Sequence, residues 1–83
     1  MLAVTLFTKT DCGLCDEVKS ELAQLGSAYP HQLTEIDITR DPTLFQRYRY
    51  IIPVLHIAGQ RLQAPISPAE LERALALASS QED

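Results

Sequence analysis

From Ala3 to Thr8 apolar and β-branched side chains follow one another with little polar alternation, the pattern of a strand covered on both faces. At Leu14 the period changes. Leu14, Val18, Leu22 and Leu25 recur at steps of four, four and three, which places them along one side of a helix. Gly26 stands where that helix should stop, and Thr10 and Asp11 can cap its start. Beyond Ser27-Ala28-Tyr29-Pro30 the segment from Gln32 to Ile38 alternates, with Thr34, Ile36 and Ile38 on one face and Leu33, Glu35 and Asp37 on the other. Its charges suit an edge strand. Strand, helix and strand in succession make a βαβ unit, whose strands run parallel and whose crossover is right-handed.

In the second half, Asp41-Pro42 supplies a cap followed by proline at a first helical position, and Leu44, Phe45 and Tyr48 give the short helix one apolar side. This helix cannot pass Ile52, because the residue before Pro53 is driven out of the helical region. Val54 to Ile57 and Gln60 to Gln63 then read as two strands of a hairpin joined by Ala58-Gly59. Ser67-Pro68-Ala69-Glu70 combines a capping serine, a proline at the first turn and a glutamate placed for a capping box. Leu71, Ala74, Leu75 and Ala78 form the buried stripe of the last helix, and the end from Ser79 to Asp83 is expected to fray. The order is βαβαββα. The simplest sheet consistent with it is mixed and four-stranded, its first and third strands central and helices on both faces, an α/β fold.

A chain of 83 residues has room for one modest core, so one domain is expected over residues 1–83. Hydrophobic residues at 46% and charged ones at 22% are ordinary for a folded chain and argue against disorder. The net charge of -4 gives no electrostatic reason to approach nucleic acid or an anionic membrane. The apolar opening Met1-Leu2-Ala3-Val4-Thr5-Leu6-Phe7 has no basic leader and falls far short of the roughly 20 residues of a membrane span. The expected compartment is the cytoplasm, and the expected state a monomer.

The chemistry lies in Thr8-Lys9-Thr10-Asp11-Cys12-Gly13-Leu14-Cys15, which holds the chain's two cysteines where a strand gives way to a helix. In a reducing compartment such a Cys-x-x-Cys pair points to reactive thiols or metal binding rather than to a permanent crosslink. As a staple it would contribute little, since closing so short a loop removes only about 2 kcal/mol of chain entropy. A structural zinc takes four ligands, and beyond the cysteines the chain offers only His31, His56 and scattered carboxylates. Zinc would need a second subunit. At the first turn the helix dipole and free N–H groups favour a thiolate, so Cys12 is expected to attack a protein or low-molecular-weight disulfide and Cys15 to resolve the mixed disulfide. Lys9 adds positive potential; Asp11, Asp16 and Glu17 oppose it, so the thiol of Cys12 is expected to be only moderately acidified. Pro53, opening a strand after two β-branched residues, is either a helix stop or a cis proline beside the thiols. His31 and His56 read as structural residues, and Arg47, Tyr48, Arg49 and Tyr50 as a surface edge that packs or binds anions.

With Cys12-Gly13-Leu14-Cys15, Ile51-Ile52-Pro53-Val54 and this element order together, the chain resembles the glutaredoxin-like branch of the thioredoxin fold over nearly its whole length. Phe7-Thr8-Lys9-Thr10-Asp11-Cys12 is similar to the glutaredoxin approach to its nucleophile. The resemblance implies a thiol-disulfide oxidoreductase with a cis peptide before Pro53, an Ile52 backbone that pairs with a bound substrate or glutathione, and Lys9 near the glutathione carboxylate. It implies no permanently bound cofactor, with glutathione or a thioredoxin-type reductase as electron donor and a role in cell redox homeostasis. Two other roles for such a domain stand beside this one: a module that holds an iron-sulfur cluster or metal with the help of glutathione, and a non-catalytic interaction domain. The chain departs from glutaredoxins at two places. Gly13-Leu14 replaces Pro-Tyr between the cysteines. Gln63-Ala64-Pro65-Ile66-Ser67 replaces the Gly-Gly and acidic residue that grip the glutathione amine. In both respects it looks more like the small glutaredoxin-like proteins that keep Cys-x-Leu-Cys and Ile-Pro-Val-Leu.

Overall fold

A computed structural model describes residues 1–81. The elements are β1 (Leu2–Thr8), α1 (Gly13–Leu25), β2 (His31–Asp37), a short 3-10 turn (Ile38–Arg40), α2 (Pro42–Tyr48), β3 (Val54–Ile57), β4 (Gln60–Gln63) and α3 (Pro68–Ser80). The sheet runs β2-β1-β3-β4. β1 is parallel to β2 from Leu2 opposite His31 to Thr8 opposite Asp37, while β3 is antiparallel to both β1 and β4. The sheet is therefore mixed, with its two most apolar strands central.

Each face of the sheet buries its own cluster. On one side Leu2, Val4, Leu6, Leu55 and Ile57 pack with Val18 and Leu22 of α1 and with Leu71, Ala74, Leu75 and Ala78 of α3. On the other, Phe7 and Val54 pack with Ile38 and Tyr48, and Leu44, Phe45, Ile51 and Ile52 close around them. Strand alternation produces this division, because successive residues point to opposite faces: Leu55 and Ile57 face α1 and α3, and Val54 faces α2.

The helix starts obey capping chemistry. The Asp41 carboxylate accepts the N–H groups of Thr43 and Leu44 at 2.9 and 3.2 Å, with Pro42 at the first turn. Ser67 Oγ accepts the Glu70 N–H at 3.1 Å. The hairpin turns at Ala58 and Gly59, whose φ of 46° and 84° are both left-handed, as the tight two-residue turn that matches strand twist requires.

Several local expectations are corrected. The cap of α1 is Cys12 rather than Thr10 or Asp11, since the helix begins at Gly13 and Cys12 holds the extended backbone of a cap. The buried side of α1 is Cys15, Val18 and Leu22, whereas Leu14 is 53% exposed. Cysteine packs as a small apolar residue, and Cys15 takes the place assigned to Leu14. Gly26 ends the helix with a right-handed φ of -62°, its N–H donating to the Ala23 carbonyl, and so is not a left-handed cap. β2 begins at His31 and ends at Asp37. Ile38 leaves the strand because the Asp37 carboxylate accepts the Thr39 N–H at 2.9 Å and starts the 3-10 turn, which drops Ile38, fully buried, into the α2 cluster. α3 continues through Ser79 and Ser80, with Gln81 as its cap, where fraying was expected; Glu82 and Asp83, assigned to the same frayed end, lie outside the described residues.

Candidate active site

The site sits where β1 ends and α1 begins. Asp11 adopts a left-handed φ of 62°, a backbone region that aspartate tolerates better than most residues, and this bends the chain sharply from strand into helix. Cys12 follows in extended conformation, φ -106° and ψ 100°. Its Sγ accepts the Cys15 N–H at 3.2 Å, while its carbonyl accepts the Asp16 N–H at 3.1 Å. The sulfur thus occupies the seat of a capping oxygen, at the positive end of the helix dipole.

Cys12 and Cys15 are joined as a disulfide, with their Cα atoms 5.2 Å apart. The two ends of the bond differ in access. Cys12 is half-buried and reaches the surface; Cys15 is 1% exposed and belongs to the core.

Pro53 lies on the same side of the molecule as the cysteine turn. It lines one cleft together with Leu14, the residue preceding Cys15, and with Ala64, Pro65 and Ile66 of the loop after β4. The peptide bonds Ile52-Pro53 and Ala64-Pro65 are cis. The corner is held by the Ala64 N–H, shared between the carbonyls of Ile51 and Pro53 at 3.3 and 3.1 Å. Ile52 tucks its side chain into the α2 cluster, and its main-chain N–H and C=O make no hydrogen bond among the described residues.

Lys9 is exposed and does not line the cleft with Pro53. It borders a separate polar hollow at the ends of β1 and β2, with Asp16, Lys19, Glu35 and Asp37. Lys19 bridges that hollow, 3.3 Å from Glu35 on β2 and 3.6 Å from Asp16 on its own helix. The bond to Glu35 is the main cause that holds the Lys19 ammonium above its ordinary range. Asp37 is held below the usual carboxylate range, chiefly by the Thr39 hydroxyl, which donates to it at 2.6 Å, and then by the Thr39 N–H.

The sequence profile of a family described as "Glutaredoxin-like domain (DUF836)" matches residues 3–76. The chain belongs to this family. Among solved structures, the glutaredoxin-like domain is similar to a structural-genomics target protein from X. campestris, at 31% identity and TM-score 0.76, over 89% of this chain and 96% of that one. It is also similar to the oxidised form of mitochondrial thioredoxin 3 from Saccharomyces cerevisiae, at 26% identity and TM-score 0.62, over 90% of this chain and 76% of that one. A malarial protein shares the fold, at 16% identity and TM-score 0.66, over 93% and 96% of the two chains. The fold of this glutaredoxin-like domain is thioredoxin-like, and its close cysteine pair fits redox chemistry in general.

The remaining candidates find structural roles. His56 packs edge-on against Phe7, ring centroids 4.9 Å apart. His31 Nδ1 donates to the Tyr29 carbonyl at 2.8 Å. Arg47 and Arg61 lie 6.0 and 5.6 Å from the Tyr48 ring, and Arg49 lies 4.5 Å from the Tyr50 ring, so this edge packs cations on aromatic faces. Among the described residues no three His, Cys, Asp or Glu side chains converge to hold a metal ion, and no helix is long and apolar enough to cross a membrane. What sequence reasoning missed is the cleft wall made by Leu14, Pro65 and Ile66. One signal was available: Cys15, Val18, Leu22 and Leu25 are spaced as regularly as the series that starts at Leu14, and counting cysteine as apolar would have released Leu14 to the surface.

Proposed function

We propose that the protein is a thiol-disulfide oxidoreductase in which Cys12 is the nucleophile and Cys15 the resolving thiol. The observation that carries this reading is the unequal cysteine pair: Cys12 Sγ is within reach of solvent and accepts a helix N–H, while Cys15 is buried behind it. In the reduced protein that N–H and the helix dipole stabilise a thiolate on Cys12. The thiolate attacks one sulfur of a substrate disulfide, forming a mixed disulfide and expelling the other substrate sulfur as a thiolate that takes up a proton. Cys15 then gives up its proton and attacks the Cys12 sulfur. The Cys12–Cys15 disulfide forms, and the second substrate thiol leaves. Two electrons pass from the protein dithiol to the substrate disulfide.

Ile52 and Pro53 shape the substrate groove. The unengaged N–H and C=O of Ile52 are placed to pair with an extended segment of the substrate, and the ring of Pro53 forms the wall behind it. Lys9 adds positive potential, much of it offset by the carboxylates around its own hollow. No organic cofactor need stay bound, since the electrons reside in the two sulfurs; a small thiol such as glutathione, or a thioredoxin-type reductase, returns them.

The test is the pH dependence of Cys12 alkylation in the reduced protein. The expected midpoint lies below the ~8.5 of an ordinary cysteine thiol, and a midpoint at that ordinary value would overturn the reading. Cys15→Ser should trap the mixed disulfide, and Cys12→Ser should abolish it.

A further inference from the structure

The cleft that Pro53 shares with the cysteine turn has a volume of about 160 Å³, close to that of the ~150 Å³ apolar cavity that accommodates a benzene ring. Leu14, Pro53, Ile66 and Leu71 supply apolar walls, and Glu17 and Glu21 stand among them. These two glutamates are four residues apart on α1 and so share one edge of the helix. Neither forms an ion pair among the described residues, where the only bridges on this helix run from Lys19 to Asp16 and Glu35. No basic residue lines the cleft. Carboxylates without an ion-pair partner, Glu17 exposed and Glu21 half-buried, beside an apolar hollow favour a ligand that brings both an apolar group and a cation, and the net charge of -4 adds to that bias.

We infer that this cleft selects the substrate: it takes one apolar side chain of an extended peptide segment next to the substrate's disulfide, with a neighbouring lysine or arginine drawn to Glu17 and Glu21. The inference rests on the oxidoreductase reading and narrows it to protein or peptide disulfides of basic, apolar context. Glutathione fits poorly, because its two carboxylates outnumber its one ammonium beside Glu17 and Glu21 and it has no apolar side chain to offer this wall. The loop Gln63-Ala64-Pro65-Ile66-Ser67 is part of the same selection, since Ala64, Pro65 and Ile66 give the cleft an apolar surface opposite α1.

The experiment measures fluorescence anisotropy of labelled peptides on the full-length disulfide form. Three short peptides differ only in one pair of residues, Leu-Lys, Leu-Glu or Ser-Lys, and carry serine in place of cysteine, so binding is read apart from redox chemistry. The Leu-Lys peptide is expected to bind about tenfold more tightly than either of the others. Its advantage over Leu-Glu should shrink with added salt and collapse in Glu17→Gln/Glu21→Gln, a near-isosteric double substitution at residues outside the buried core. Its advantage over Ser-Lys should collapse in Ile66→Ser. Equal affinities for the three peptides, or tighter binding of Leu-Glu, would overturn the inference. Cysteine versions of the peptides, offered as mixed disulfides to the dithiol form, separate the two ideas. Discrimination in binding with no reduction at all would leave the cleft standing and remove the oxidoreductase; reduction at one common rate with equal binding would do the opposite.

Discussion

Ala58 and Gly59 show how closely single residues are tied to backbone here. Both lie at positive φ in the hairpin turn, a region that costs a residue with a Cβ about 1–2 kcal/mol and costs glycine nothing. Ala58 therefore carries a penalty that asparagine, common at this turn position, reduces. Ala58→Asn is expected to stabilise by up to about 1 kcal/mol, raising the midpoint of thermal unfolding by roughly 4–8 °C per kcal/mol in a chain of this size. Gly59→Ala meets no atom within 4 Å, so its cost is conformational alone, about 1–2 kcal/mol of destabilisation in a denaturant titration. The turn itself was legible because glycine in a two-residue loop between alternating segments has few other uses. The exposure of Leu14 was not: apolar spacing says which residues can share a helix face, and only the packing of α1 on the sheet says which face is covered.

Elements join through a few polar links whose pH dependence can be worked out. Asp37 ends β2 and starts the 3-10 turn, and its pKa in the folded chain is lowered by the Thr39 hydroxyl. Its contribution to stability is therefore present above the ordinary value of 3.8 and is lost as pH falls through the lower folded value. Thr39→Val is expected to move the Asp37 carboxyl titration, followed by NMR, back up towards 3.8. Lys19 ties α1 to β2 with the opposite sign. Its pKa is raised, so the link is complete below 10.5 and fades as pH climbs through the higher folded value. Both groups are open to solvent, and the effect on unfolding is small. Ser67 is the plainer case, a cap in sequence and in structure, and Ser67→Ala should cost about 1 kcal/mol. Element boundaries were readable where a cap and a proline coincide, at Asp41-Pro42 and Ser67-Pro68. They slipped where one side chain decides, at Cys12 and at the junction of Asp37 with Ile38.

At the scale of the molecule, one sheet serves two clusters of unequal size, and the smaller one lies under the proline corner. Ile38, Tyr48, Val54 and Phe7 form its buried part, with Ile51 and Ile52 packed on it. Ile38→Ala should cost about 2–5 kcal/mol, a large share of the 5–15 kcal/mol that holds a domain together, and Leu75→Ala on the opposite face a similar amount. Urea unfolding checks both. The substitution at Ile38 should also loosen the corner, seen as faster exchange of the Ala64 amide that bonds the Ile51 and Pro53 carbonyls, which Leu75→Ala should not reproduce. The strand order and the two-sided covering followed from the succession of elements. The companionship of Leu14 with Ile66 did not, since the two are distant in sequence and no period connects them.

Because one sulfur of the pair is shut inside while the other looks out, the chain owns two thiols but shows the world one. After gentle reduction, a bulky maleimide should add a single tag to the folded protein and a second only once denaturant has opened it. Traffic of electrons in either direction then passes through a single doorway, and whatever blocks that doorway silences both cysteines together.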